Sequence, residues 1–179
     1  DELGLAMHMH LHETENEVQQ SLQTHGMSPI QRLNNLALLS PDFMAVHMTS
    51  LSDTDIQLLA KHQTHVIHCP ESNLKLASGI CPTTALLANQ INVAIGTDGS
   101  ASNNDLDIFG EMHLMALIAK AIANDAAAVN AQQALEIATL NGAKALGLDS
   151  EIGSIETGKF ADLCAVSLTP LSMMPLNNP

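Results

Sequence analysis

Met7-His8-Met9-His10-Leu11-His12-Glu13-Thr14 is the stretch on which the reading of the fold turns. Histidines alternate with apolar residues and run into a carboxylate. Side chains two apart share one face of an extended strand. His8, His10 and His12 are therefore expected on one side, with Glu13 just beyond the strand end. Imidazole nitrogen is a good ligand for zinc or iron. A carboxylate three residues past such a ligand is placed to move protons on and off a metal-activated water.

Outward from this stretch, the same pattern recurs. A strand over Leu3–Leu11 leads into a helix capped by Thr14 and ending near Gly26. Glu15 and Glu17 sit in its first turn, where the helix dipole favours them. Ser28-Pro29 opens a second helix through Leu39. Phe43–Met48 reads as a strand delivering His47. Ser52 to Asp55 forms a capping box for a helix reaching about His62. His65–Cys69 is a third strand, ending near His68. Pro70–Pro82 reads as a loop and Thr83–Gln90 as a short helix. Ile91–Thr97 is a fourth strand running into Asp98. A long helix over Leu106–Asn124 and one or two Ala-rich helices over Ala131–Leu146 follow. Gly153–Leu168 carries turn chemistry between β-like segments.

Alternating strands and helices predict a parallel sheet closed by helices. Four strands ending at or near His10, His47, His68 and Asp98 suit a (β/α)8 barrel, whose chemistry sits at the C-terminal strand ends. A doubly wound sheet also binds ligands there, but the Gly-rich phosphate loop that goes with it is missing.

Composition narrows the function. The chain has 179 residues, 46% of them hydrophobic, enough for one core. Six basic residues against 19 acidic give a net charge of −13, which disfavours nucleic acid and anionic membrane surfaces as partners. Trp and Tyr are absent and Phe is limited to Phe43, Phe109 and Phe160, so stacking platforms for bases are not expected. Cys69, Cys81 and Cys164 form neither a CxxC pair nor a disulfide framework, which suits a reduced, cytoplasmic setting. No apolar run reaches the ~20 residues of a membrane span. Both ends read as cuts through a longer protein.

Three motifs carry a family resemblance. They are His10-Leu11-His12-Glu13-Thr14, then His68-Cys69-Pro70-Glu71-Ser72-Asn73-Leu74-Lys75-Leu76 with Gly79-Ile80-Cys81-Pro82, and Gly96-Thr97-Asp98-Gly99-Ser100-Ala101-Ser102-Asn103-Asn104 with Glu111-Met112. Together they resemble the C-terminal half of an amidohydrolase-superfamily deaminase, most closely the 5-methylthioadenosine/S-adenosylhomocysteine deaminases and related chlorohydrolases. Gly153 to Leu163 resembles the return into that family's small β domain.

The resemblance implies an α/β chain holding strands five to eight of a (β/α)8 barrel over residues 1–150. Residues 151–179 would then begin the small β domain. It implies one divalent metal, zinc or iron, with His10 and Asp98 as ligands. Glu13, His47 and Asp98 take the catalytic roles, and Glu13 and Asp98 also touch substrate. The implied activity is hydrolytic deamination of an aminopurine nucleoside such as 5-methylthioadenosine or S-adenosylhomocysteine. Guanine deaminase, a triazine-type chlorohydrolase and a non-catalytic metal-binding protein of the same fold are the rivals. The family's His-x-His ligand pair on strand one has no counterpart here. A companion segment carrying strands one to four is therefore expected as partner, with a homo-oligomer as a further possibility. His8 and His12 are expected to be structural or to orient a ligand, while His25, His62, His65 and His113 are expected to be solvated. Ser72, Asn73 and Lys75 are expected to hold the pocket loop.

Overall fold

A computed structural model describes residues 4–167. Leu3, where the first strand was expected to begin, and the residues from 168 onward lie outside them. Four parallel strands, β1 (Met7–Leu11), β2 (Phe43–His47), β3 (His65–His68) and β4 (Val93–Ile95), form one sheet in sequence order. The register aligns His10 with Val46, Leu11 with His47, and His68 with Ile95. The strand ends, and with them the candidate residues, thus line up at one end of the sheet.

Helices α1 (Glu15–His25), α2 (Pro29–Asn35), α3 (Asp53–Lys61), α4 (Pro70–Lys75) and α5 (Thr83–Ala88) connect the strands, and α6 (Ile108–Ala123), α7 (Ala131–Ala138) and α8 (Leu140–Ala145) follow β4. Local chemistry sets most boundaries. Thr14 caps α1, and Gly26 closes it at φ 72°. Capping boxes open α2 at Ser28 and α3 at Ser52. Asp55 of the second box also accepts from Ser28 Oγ at 2.6 Å, tying α2 to α3.

Between sheet and helices lies the main core. Phe43 and Ala45 of β2, Val66 of β3 and Val93 of β4 pack against Ile30 of α2, Ile56 and Leu59 of α3, and Leu86 of α5. Each such side chain contributes roughly 1.5–3 kcal/mol on burial. The sheet's other face is thinly covered: its buried cluster among the described residues is Met44, Ala94 and Ala145 with partly buried Ile67. No helix among the described residues is long and apolar enough to cross a membrane.

Some sequence expectations change. His12 does not share the His8–His10 face. The chain leaves β1 at Leu11, His12 turns to φ 50°, and its ring is buried. The loop expected at Pro70–Pro82 begins as a helix, α4. Cys69 gives α4 no side-chain cap. The cap comes instead from Glu111 of α6, whose Oε2 accepts from the Glu71 N–H at 3.0 Å. Finally, residues 153–167 form turns and irregular chain with no strand. A segment becomes a strand only by pairing with a neighbour, and none of the four strands pairs with it.

Candidate metal centre and catalytic pocket

His10 and His47 stand on neighbouring strands, and their rings meet edge to face with centroids 4.6 Å apart. Ligand-type atoms of His10, Glu13 and His47 all lie within 4.8 Å of one another. The backbone makes this possible. His47 ends β2 at φ 77° and Met48 follows at φ 52°, which turns the His47 ring away from the regular strand alternation. Glu13 comes one residue after the similarly left-handed His12.

The three groups differ in exposure. His10 is exposed, Glu13 is partly exposed and His47 is fully buried. Glu13 Oε1 accepts from Ser78 Oγ at 3.0 Å, while Oε2 stands 3.8 Å from His47 Nε2. The other ring nitrogen, Nδ1, accepts from the Asn73 amide at 2.9 Å. Burial pushes the His47 pKa below its ordinary 6.5, and His10 pushes the same way. Glu13 and Asp98 oppose it without reversing the direction. His47 is therefore neutral at pH 7.

Asp98 stands outside the triad, three residues past β4, at φ 60°. Its Oδ2 accepts from both Ser72 Oγ and Ser102 Oγ at 2.7 Å. Burial pushes its pKa up, but these hydroxyls, the Gly99 N–H and His47 outweigh it, and the carboxyl sits below the usual 3.8. Asp98 is thus an anion whose charge acts on His47.

His12, two residues after His10, has no free nitrogen. Its Nε2 accepts from the Ile30 N–H at 3.2 Å, so Nδ1 carries the proton and donates to the Ser50 carbonyl at 2.6 Å. His12 is a structural tie between β1, α2 and the loop after β2. His68 is buried beside Thr83 and is pushed down to about 3, first by burial and then by His47. His62 and His65 are not simply solvated: Asn34 and Asn92 hydrogen-bond their rings. His8, His25 and His113 are exposed. Cys69 and Cys81 are buried thiols pushed up to about 12, chiefly by burial.

Lys75 does hold a loop: its Nζ reaches the Ala101 and Asn103 carbonyls and Asn104 Oδ1. Ser78 and Ser102 were not singled out in the sequence, although both touch a candidate carboxylate. No periodicity marks them, because each acts across a loop rather than along an element.

The donor set suits a divalent cation. His10, Glu13 and His47 bring two imidazoles and a carboxylate within 4.8 Å of one another, and the buried His47 Nε2 has no hydrogen-bond partner.

Comparison with known proteins agrees with this chemistry. The model of the amidohydrolase family matches residues 1–179. The chain is 52% identical over 179 residues to a 5-methylthioadenosine/S-adenosylhomocysteine deaminase of Teredinibacter turnerae, covering all of this chain and 40% of that protein. It is 47% identical over 178 residues to a protein of the same name from Saccharophagus degradans, covering 99% and 40%. The crystal structure of an adenosine deaminase from Xanthomonas campestris with bound zinc superposes with a TM-score of 0.96 at 51% identity, over 100% of this chain and 41% of that one. The chain spans about 40% of the length of these curated relatives.

Proposed function

The chain belongs to the amidohydrolase family, and on that premise we propose that it carries strands five to eight of a (β/α)8 barrel in a metal-dependent deaminase of aminopurine nucleosides. Residues 1–150 form the barrel half, and 151–179 lead to a small β domain. The names of the two bacterial relatives support 5-methylthioadenosine or S-adenosylhomocysteine as substrate. Buried free thiols support a reduced, cytoplasmic setting.

The observation that carries the reading is the convergence of His10, Glu13 and the unpartnered His47 Nε2 beside anionic Asp98. His10 and Asp98 would hold the metal, with further ligands from a companion segment. A divalent cation there, zinc or iron, supplies the Lewis acidity that makes water a nucleophile near neutral pH. Asp98 takes a proton from the attacking water. His47 donates from Nε2 to the oxygen as charge develops on it. Glu13, steadied by Ser78 and entering protonated on Oε2, gives that proton to the ring nitrogen, takes one from the hydroxyl of the adduct and passes it to the departing amine. The proton on Asp98 then returns to Glu13 through solvent. Water adds at the amine-bearing ring carbon, ammonia leaves, and an oxo-purine results.

The test is release of ammonia by the full-length protein from adenosine, 5-methylthioadenosine, S-adenosylhomocysteine and guanine, and of chloride from a chlorinated triazine. Turnover of the adenosine nucleosides, abolished by metal removal and restored by zinc, is expected. Release from guanine alone, or dechlorination alone, would replace this substrate class. No turnover with metal bound would favour a non-catalytic role.

A further inference from the structure

One short segment reaches three strand ends. Within Ser72–Ser78, the Ser72 hydroxyl donates to Asp98, the Asn73 amide to His47 Nδ1, and the Ser78 hydroxyl to Glu13. The two hydroxyls steady carboxylates. The Asn73 contact does more, because a neutral imidazole has one N–H and one acceptor, and the partner of one nitrogen decides the role of the other.

On the deaminase reading, we propose that Asn73 is a positioning residue that fixes the tautomer of His47. Donating to Nδ1 puts the ring proton on Nε2, so that Nε2, beside His10 and Glu13, is a hydrogen-bond donor and not a metal ligand. The opposite arrangement, with Asn73 Oδ1 accepting from Nδ1–H, would leave a lone pair on Nε2. His47 could then join His10 and Glu13, all within 4.8 Å, as a third ligand. Asn73 thus selects between two functions for the same atom.

Two observations favour the donor form. Nε2 faces Glu13 Oε2 at 3.8 Å, so a proton there meets an acceptor where a lone pair would meet repulsion. Asn73 is 1% exposed, and its Oδ1 is buried without a hydrogen-bond partner. A side chain kept only for packing has no reason to bear that desolvation cost. An amide nitrogen required at the ring does.

The experiment is nitrogen-15 NMR of histidine-labelled, full-length, zinc-loaded protein, with steady-state kinetics on the same samples. Wild type is expected to show the His47 proton on Nε2. Asn73→Asp, which keeps the shape but can only accept, is expected to put a proton on Nδ1. Its kcat should fall by ~10²-fold, the loss typical of a displaced general acid–base group, with KM changed by less than about threefold. Wild-type His47 protonated on Nδ1 alone would overturn the proposal, as would Asn73→Asp with unchanged tautomer and kcat. If that variant does not fold, the wild-type tautomer decides. A wild-type protein that binds zinc but deaminates no adenosine nucleoside would refute the deaminase reading, and the tautomer would still be read from the same spectrum.

Discussion

The Ser78 hydroxyl lies 3.0 Å from Glu13 Oε1 across 65 residues of chain, joining the segment after α4 to the end of β1. It leaves Glu13 Oε2 turned toward His47. If Glu13 is the proton carrier, Glu13→Gln in the full-length enzyme keeps fold and metal and loses ~10²–10⁴-fold in kcat. Ser78→Ala, which only frees the carboxylate, costs less. Equal turnover in Glu13→Gln and wild type would remove Glu13 from the chemistry.

Gly79 follows Ser78 at φ 138°, where a Cβ would lie 2.7 Å from Thr49 Oγ1 and 2.9 Å from Thr49 Cβ. Thr49 in turn donates to the Glu13 carbonyl at 2.7 Å. Gly79→Ala is therefore expected to destabilise the protein by about 1–3 kcal/mol through overpacking and to disturb Glu13. Thermal melting and kcat on one preparation check both effects. A melting temperature equal to wild type would contradict the close approach.

Removing the hydroxyls on Asp98 tests its electrostatics. Ser102 and Ser72 both lower its pKa. In Ser72→Ala/Ser102→Ala the carboxyl pKa rises, so protons compete with a cation at higher pH than before. Zinc affinity measured from pH 4 to 7 should fall off at higher pH in the double variant. Superimposable curves would mean that the hydroxyls do not hold the anion.

His68 predicts acid sensitivity. Burial, then His47, pushes it from 6.5 to about 3. The unfolded chain therefore binds a proton that the folded chain refuses, so stability is intact above pH 6.5 and is lost as pH falls from there toward 3. His68→Gln should flatten this loss in denaturant titrations between pH 7 and 4. An unchanged slope would assign the acid sensitivity elsewhere.

Much of this was legible because it is local. Thr14, Ser28 and Ser52 announced their helices, alternation of histidines with apolar residues announced β1, and a short apolar run announced β2. The ends were harder. Helices α2 to α5 close on left-handed Ala37, Gln63, Ala77 and Gln90, where glycine would have been the signal. In α2 the Leu38 N–H reaches back to the Leu33 carbonyl, ending the helix before the expected Leu39. Within the site, His10, Glu13, His47 and Asp98 carry obvious ligand chemistry. The roles of Ser78 and Ser102, and the separation of His12 from its strand neighbours, depend on contacts formed only by folding.

Edges β1 and β4 carry a prediction for the 179-residue chain itself. Parallel sheets are normally covered on both faces, and bare edges invite pairing. Purified alone, these residues should self-associate and bind zinc weakly. Light scattering and metal analysis provide the check. A monodisperse monomer holding one tight zinc with turnover would show that no companion segment is needed.

The remote cap on α4 has a consequence in time. Glu71 waits for a carboxylate 40 residues further along. At ~5–20 residues per second of synthesis, the cap follows roughly 2–8 s later. The segment bearing Ser72 and Asn73 is therefore made well before it can consolidate, while the strands behind it already exist. Nascent chains halted before Glu111 emerges should be cleaved by protease near Leu74–Ala77, and chains halted after α6 should resist.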